Sequence, residues 1–464
     1  MNNTARRALT SLTLLGSLAA GCSGQSASRA AARLTPALEA TEPVATGGTG
    51  GAPATPGTPV SNSEGVITPA GLINPTASTE NSGVDCAATA GALKKNDDLP
   101  DPFAMHDGTR ISAKTDWECR RNEIKKDIEQ YEIGAKPDPS TSTVAATYDG
   151  TNLNVVVTTS AGSLTLSSPV TTVDGDGPHC VAIGMNGPSS LITGCVQVPF
   201  LHDQIVTANQ NGQVNQADPF YTVYPELWTK IANYAAWSWG ISRLIDGIDQ
   251  VKDQLHVDMT KIGVHGCSYA GKMALFGGAF DERVALTMAQ ESGGGGINSW
   301  RLSQDFVTRT GTQIEKIDNT NYSWFLPSMK SLDPYSLPHD HHELIAMVAP
   351  RAFVTFGNRN YEWLGDESGD KSVVAAQQVW QALGADAKFG YDFTTDHTHC
   401  QAAPSQVNTA NAFVSQFLLG QAADTHIAIP TDPMPHTTNA GGVAQATFDL
   451  DESEVVHWTA PTLQ

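Results

Sequence analysis

Positive charge is scarce in this chain. Its 464 residues carry 27 Lys and Arg against 48 Asp and Glu, for a formal net charge of −21. That balance argues against nucleic acid or an anionic membrane face as partner, although it is silent about any reaction. Metal-binding patterns are missing too. There is no C-x-x-C pair and no H-E-x-x-H, so no zinc site is expected. Beyond the first residues, no apolar run approaches the roughly 20 residues a membrane-spanning helix requires. Charged residues make up 16% and hydrophobic residues 40%, enough apolar material for a sizeable core.

The two N-terminal segments are not globular in character. Residues 1–22 have the layout of an export signal: Arg6 and Arg7, an apolar stretch from Leu9 to Leu18, then Ala19, Ala20, Gly21 and Cys22. Ending in Cys22, the segment fits either plain secretion or a bacterial lipoprotein with Cys22 lipidated. Residues 23–85, dominated by Ala, Thr, Pro, Gly and Ser, bury too little apolar area to offset ordering entropy and are expected to form a flexible tether. The folded domain is expected at 86–464, acting as a monomer.

Setting Cys22 aside leaves Cys86, Cys119, Cys180, Cys195, Cys267 and Cys400. An even number in an exported chain favours disulfides. Pairing by neighbourhood gives 86–119, 180–195 and 267–400; spacing alone does not choose among the connectivities. The third pair would tie together the two segments that carry the chemistry.

The first of these is Lys261–Arg301. Ile262, Gly263 and Val264 read as a buried strand, His265-Gly266-Cys267 leads to Ser268, and a helix-like stretch follows from Gly271. Strand, sharp turn, serine and helix make a nucleophile elbow. A second strand, Val284 to Met288, delivers Glu291 to the glycine run 293–296. Further strands are expected at Cys180–Met185, Gln204–Thr207, Arg351–Phe356 and Lys388–Phe393, with a hairpin over Thr151–Ser168. Helices are expected at Asp116–Tyr131, charged on one side and lying outside the sheet, at Glu226–Val251 and at Lys371–Leu383. Strands alternating with helices indicate a mainly parallel α/β sheet. The second chemical segment is the loop Asp396-His397-Thr398-His399-Cys400.

Serine, carboxylate and histidine in that order suit an α/β-hydrolase fold, a three-layer sandwich with a nucleophile elbow. A serine hydroxyl needs an imidazole to take its proton, and the imidazole needs a carboxylate to fix its tautomer. Ser268, Glu291 and His399 are the candidates. His397, His339, His341 and His342 are rivals for the base, histidines being more often structural than catalytic. The backbone N–H of Tyr269 is the first candidate donor to the oxyanion.

These residues carry a resemblance. G-C-S-Y-A-G-K, A-F-D-E-R-V-A-L, Q-E-S-G and W-R are similar to the glucuronoyl esterase family, as are W-S-W-G-I-S-R-L-I-D (237–246), L-P-H-D-H-H-E-L-I-A-M-V-A-P-R (337–351), Y-E-W-L-G (361–365) and the H-C pair 399–400. LPDPF, WECRRNEI and DLDESEVVHWTAPTL also have counterparts, so the likeness covers roughly 95–464. It implies a cofactor-free serine esterase that cleaves the ester between 4-O-methyl-glucuronic acid of glucuronoxylan and lignin alcohols. By the same resemblance Ser268 is the nucleophile, Glu291 the acid and His399 the base. Lys272 and Gln313 contact the sugar, and Trp363 packs beside it.

Three departures stand out. Tyr269 replaces the family arginine that helps hold the oxyanion, and a phenol brings no positive charge. Asn321 stands where a sugar-binding glutamate is usual, leaving a neutral contact. Asn358 and Asn360 occupy the positions at which many bacterial members carry an acid, so Glu291 must serve alone. Two alternatives follow: a carboxylesterase for another plant-wall or polyester substrate, raised by Tyr269, and a carbohydrate-binding relative without turnover.

Overall fold

In a computed structural model, residues 79–209, 212–394, 397–431 and 455–464 are described. The export signal at 1–22, Cys22, the linker as far as 78, Asp396 and residues 449–454 of the closing motif lie outside the described residues.

Two sheets form. The smaller is an antiparallel meander of β1 (Thr143–Tyr148), β2 (Asn152–Thr158) and β3 (Ser163–Pro169). Alternating apolar residues Leu153, Val155 and Val157 face inward. The hairpin expected over 151–168 is β2 and β3, and β1 adds a strand to it.

The larger sheet has seven parallel strands: β4 (His179–Gly184), β5 (Val196–Gln197), β6 (Val257–Cys267), β7 (Val284–Gln290), β8 (Ala352–Phe356), β9 (Phe389–Asp392) and β10 (Ala428–Ile429). Their order across the sheet is β10-β9-β8-β7-β6-β4-β5. Both faces are covered, which is why these strands read as unbroken apolar runs. Within β4, Val181 and Ile183 join one core while Cys180 and Ala182 join another, which also holds Met288, Val354 and Phe413.

Helix Asn233–Gln250 lies between the small sheet and the helix Tyr269–Ala279 that follows β6. Trp237 and Trp239 are wholly buried along it. It begins seven residues later than its periodicity suggests, because 225–232 forms a separate turn starting at Pro225.

Several expectations change. Gln204–Thr207 is not a strand: a 3-10 turn spans His202–Gln204, and β5 already takes the sheet edge. Helix Asp116–Ile128 does not carry a solvated charged face. Arg120, Arg121, Glu123 and Asp127 are buried, with Arg120 paired to Glu343 at 2.6 Å and Arg121 to Glu282 at 2.5 Å. The charges are tolerated inside because each meets an opposite charge. The tether, too, ends before 85. Glu80 forms ion pairs with Lys136, at 2.8 Å, and with Arg243, while Ser82 hydrogen-bonds Glu282. Residues 79–85 therefore belong to the folded domain.

Candidate active site

Ser268 follows the last residue of β6 and precedes the helix Tyr269–Ala279. Its backbone sits at φ 60° and ψ −129°, a region that L-residues rarely occupy. The close turn requires Gly266, where a Cβ would stand 2.1 Å from the carbonyl oxygen of Ala270. Five non-glycine residues among those described have positive φ, and Ser268, Glu291 and Cys400 are three of them. Strain held at three residues from three separate segments marks one site.

Glu291 follows the last residue of β7, with its own N–H bonded to the carbonyl of Phe356 at 2.7 Å. Its buried carboxylate collects donors from neighbouring loops. His399 Nδ1 lies 2.6 Å from Oε2, Asn358 Nδ2 donates to the same oxygen at 3.3 Å, and the Cys400 N–H donates to Oε1 at 2.9 Å. A proton on Nδ1 shared with Glu291 leaves Nε2 as the basic nitrogen. The Tyr361 ring stacks on His399 with centroids 4.3 Å apart and planes at 17°. Burial together with the charges of Glu367 and Glu291 pushes the Asp366 carboxyl well above the usual carboxylate range.

All three cysteine pairs are bridged: Cys86–Cys119, Cys180–Cys195 and Cys267–Cys400. The last joins the residue before Ser268 to the residue after His399. A ring nitrogen of His399 lies within 4.8 Å of both sulfurs.

Ser268 opens onto a cavity of about 590 Å³ lined also by Tyr269, Lys272, Glu315, Asn321, Trp324 and Trp363. Lys272, buried on the helix after Ser268, pairs with Glu315 at 2.9 Å and lies 5.7 Å from the Trp324 ring centroid. Glu315 reaches this position because Gly294 leaves room for its backbone; a Cβ there would lie 2.5 Å from the Glu315 carbonyl oxygen. Trp363 is 39% exposed, an aromatic face open to the cavity.

Two of the positions matched to sugar contacts behave differently. Gln313 is exposed and does not line this cavity; the residue of that segment that is buried and lines it is Glu315, two positions on. Asn321 lines the cavity, but its amide is spent internally, donating to the Asn209 carbonyl at 2.9 Å and accepting from Ser323. The rival histidines lie elsewhere. His339 and His341 clasp Glu132 at 2.8 and 3.0 Å, while His342 bonds the Pro100 carbonyl. His397 Nδ1 is 3.8 Å from Glu291, farther than His399. Asn358 faces Glu291 as a donor, where an acid would set two carboxylates against each other.

The Tyr269 ring stacks near Trp324, and its hydroxyl lies 3.1 Å from Nε2 of the buried His202. Burial raises the phenol above its ordinary value, the Asp203 charge adds to this, and a hydrogen bond from Asn186 opposes it. Burial lowers His202. Glu315 and His202 were not singled out in the sequence. A buried lysine needs a buried acid, which is the only signal that could have indicated Glu315.

A parallel sheet with a strained serine elbow after β6, a carboxylate after β7 and a histidine bound to that carboxylate from the loop after β9 defines an α/β-hydrolase. Residues 155–384 match the family model described as "Glucuronyl esterase, fungi". The 4-O-methyl-glucuronoyl methylesterase of Phanerochaete carnosa is 35% identical over 412 residues, 85% of this chain and 96% of that protein. Among solved structures, the glucuronoyl esterase catalytic domain from Hypocrea jecorina superposes with a TM-score of 0.71 at 33% identity, covering 80% of this chain and 98% of that one. A mutant of glucuronoyl esterase from Sporotrichum thermophile, in complex with methyl 4-O-methyl-beta-D-glucopyranuronate, gives 0.74 at 30%, covering 82% and 100%. The chain belongs to the glucuronoyl esterase family and is a carboxylic-ester hydrolase. Its three disulfides are those of an extracytoplasmic protein.

Proposed function

We propose that the chain hydrolyses esters of 4-O-methyl-glucuronic acid, joined in glucuronoxylan to lignin alcohols, through an acyl-enzyme on Ser268. The observation that carries this reading is the 2.6 Å contact of His399 Nδ1 with the buried Glu291, held beside the Ser268 elbow by the Cys267–Cys400 bridge. Ser268 Oγ attacks the ester carbonyl as His399 Nε2 accepts its proton; His399 then protonates the departing alcohol, and water releases the acid by the reverse sequence. Glu291 fixes the imidazole and stabilises its cation. Lys272 with Glu315 supplies one donor group and one acceptor group to ring hydroxyls, and Trp363 offers an apolar face to the sugar. No step calls for a metal or organic cofactor. The protein is exported, secreted or lipid-anchored through Cys22, and acts as a monomer.

The test is hydrolysis of benzyl glucuronate by residues 79–464, beside a simple aryl acetate and the Ser268→Ala variant. Cleavage of the glucuronate, preferred over the acetate and abolished in Ser268→Ala, is the expected result. Turnover retained by a folded Ser268→Ala protein would sink the assignment.

A further inference from the structure

We infer that the Tyr269 hydroxyl is the side-chain donor to the oxyanion, and that His202 is the positioning residue that turns its hydrogen toward the substrate. This deepens the Ser268 reading and rests on it. A phenol beside a buried imidazole could point its hydrogen either way. If the phenol donated to His202, its lone pairs would face the developing negative charge and oppose it.

The surroundings of His202 decide between these arrangements. The residue is buried, and burial lowers its basicity while the Asp203 charge works against that. Nδ1 is 3.0 Å from a carboxylate oxygen of Asp203 but has no hydrogen-bond partner of acceptable geometry, and the Asp203 side chain is 61% exposed. A proton placed on Nδ1 would be buried and out of line with the one group near it. On Nε2 it meets the phenol oxygen at 3.1 Å. Nε2–H therefore donates to Tyr269, and the phenol's own hydrogen remains for the cavity.

Asn186 follows β4, the strand beside β6, and holds a left-handed φ of 65° with its N–H bonded to the Phe200 carbonyl. Its side chain acts on the same phenol in the direction that favours release of the proton. A hydroxyl that accepts a hydrogen bond is a better donor itself, because successive hydrogen bonds polarise one another. The ring cannot swing away: it is stacked on Trp324 at 5.7 Å, and its carbonyl accepts from Tyr234 Oη at 3.2 Å. When Ser268 Oγ bonds to the carbonyl carbon, its proton goes to His399 and the C=O electron pair moves onto oxygen. The phenol keeps its proton throughout and donates a hydrogen bond to that oxygen, together with the Tyr269 N–H at the helix start. A neutral, preorganised donor thus stands where the family places a cation.

Steady-state kinetics on benzyl glucuronate test this with wild type, Ser268→Ala, Tyr269→Phe, His202→Gln and His202→Leu. Phenylalanine keeps the ring and its stacking, so Tyr269→Phe folds. Its kcat should fall by about 10²–10³-fold, the loss typical of one oxyanion donor, with KM changed by less than about threefold. Glutamine presents an N–H at similar reach, so His202→Gln should keep at least about tenfold more kcat than His202→Leu at equal thermal stability. An unchanged kcat in Tyr269→Phe, a loss confined to KM, or equal rates in the two His202 variants overturns the inference. Retained turnover in Ser268→Ala would instead overturn the reading beneath it.

Discussion

Removing the Cys267–Cys400 bridge should have two separable effects. The bridge spans a sequence separation of 133 residues. Opening a loop of that length returns to the unfolded chain an entropy worth about 5 kcal/mol at 25 °C. With an unfolding entropy of about 2.1 cal/mol/K per residue over 79–464, this corresponds to a fall in Tm of about 6 °C. The second effect is on rate. Cys267 adjoins the strained Ser268, and Cys400, itself at φ 65°, donates its N–H to Glu291. Freed from each other, nucleophile and base lose a fixed separation, and a misplacement of about 1 Å costs on the order of 10²-fold in kcat. The perturbation is the Cys267→Ala/Cys400→Ala double variant with the other two bridges intact. Thermal unfolding reads the first effect, and kcat on benzyl glucuronate well below the Tm reads the second. A Tm within about 2 °C of wild type would refute the loop-entropy estimate. A lowered Tm with kcat unchanged within about threefold would refute the clamp.

Two further outcomes bear on stability. A chain starting at residue 86 loses Glu80, leaving the buried Lys136 without its carboxylate partner and Arg243 with Asp246 alone; it should be less stable than 79–464 by about 3–5 kcal/mol. Equal urea midpoints for the two lengths would show that the 79–85 contacts contribute nothing. Acid should destabilise the protein well above the carboxylate range. Burial holds His265 and His342 at about 4 in the folded state against 6.5 ordinarily, so the unfolded chain binds more protons between those values and stability rises with pH there. Acidification across that window removes on the order of 3 kcal/mol per histidine. His342→Gln, which can still bond the Pro100 carbonyl, should flatten the Tm profile from pH 7 to 4; an unchanged slope would contradict the burial argument.

The central fold was legible because its strands are buried on both faces. Runs such as Ile262–Val264 and Val284–Met288 have few other uses, and a serine or carboxylate at the end of such a run must lie at one edge of the sheet. Boundaries failed where local pattern competed with tertiary pairing. Arg120 and Arg121 look like a solvated stripe until Glu343 and Glu282, more than a hundred residues away, are brought against them. Likewise Glu80 looks like part of a tether because its partners Lys136 and Arg243 lie in other elements.

The ring-binding side of the site shows the same limit at closer range. Counting back from Trp324 leads to Gln313 and Asn321, yet the fold turns Gln313 outward and commits the Asn321 amide to Asn209 and Ser323. Lys272 is buried, and its charge can remain there only with an acid close by. That requirement selects Glu315, through the close approach Gly294 allows, and position relative to a motif does not. The oxyanion side follows the same logic. The residue that meets the Tyr269 hydroxyl is His202, in the turn after β5, and no motif marks it. What a substitution at position 269 does therefore depends on residues that reach it only through the fold, and Tyr269→Arg would have to displace the His202 contact before it could restore the missing charge.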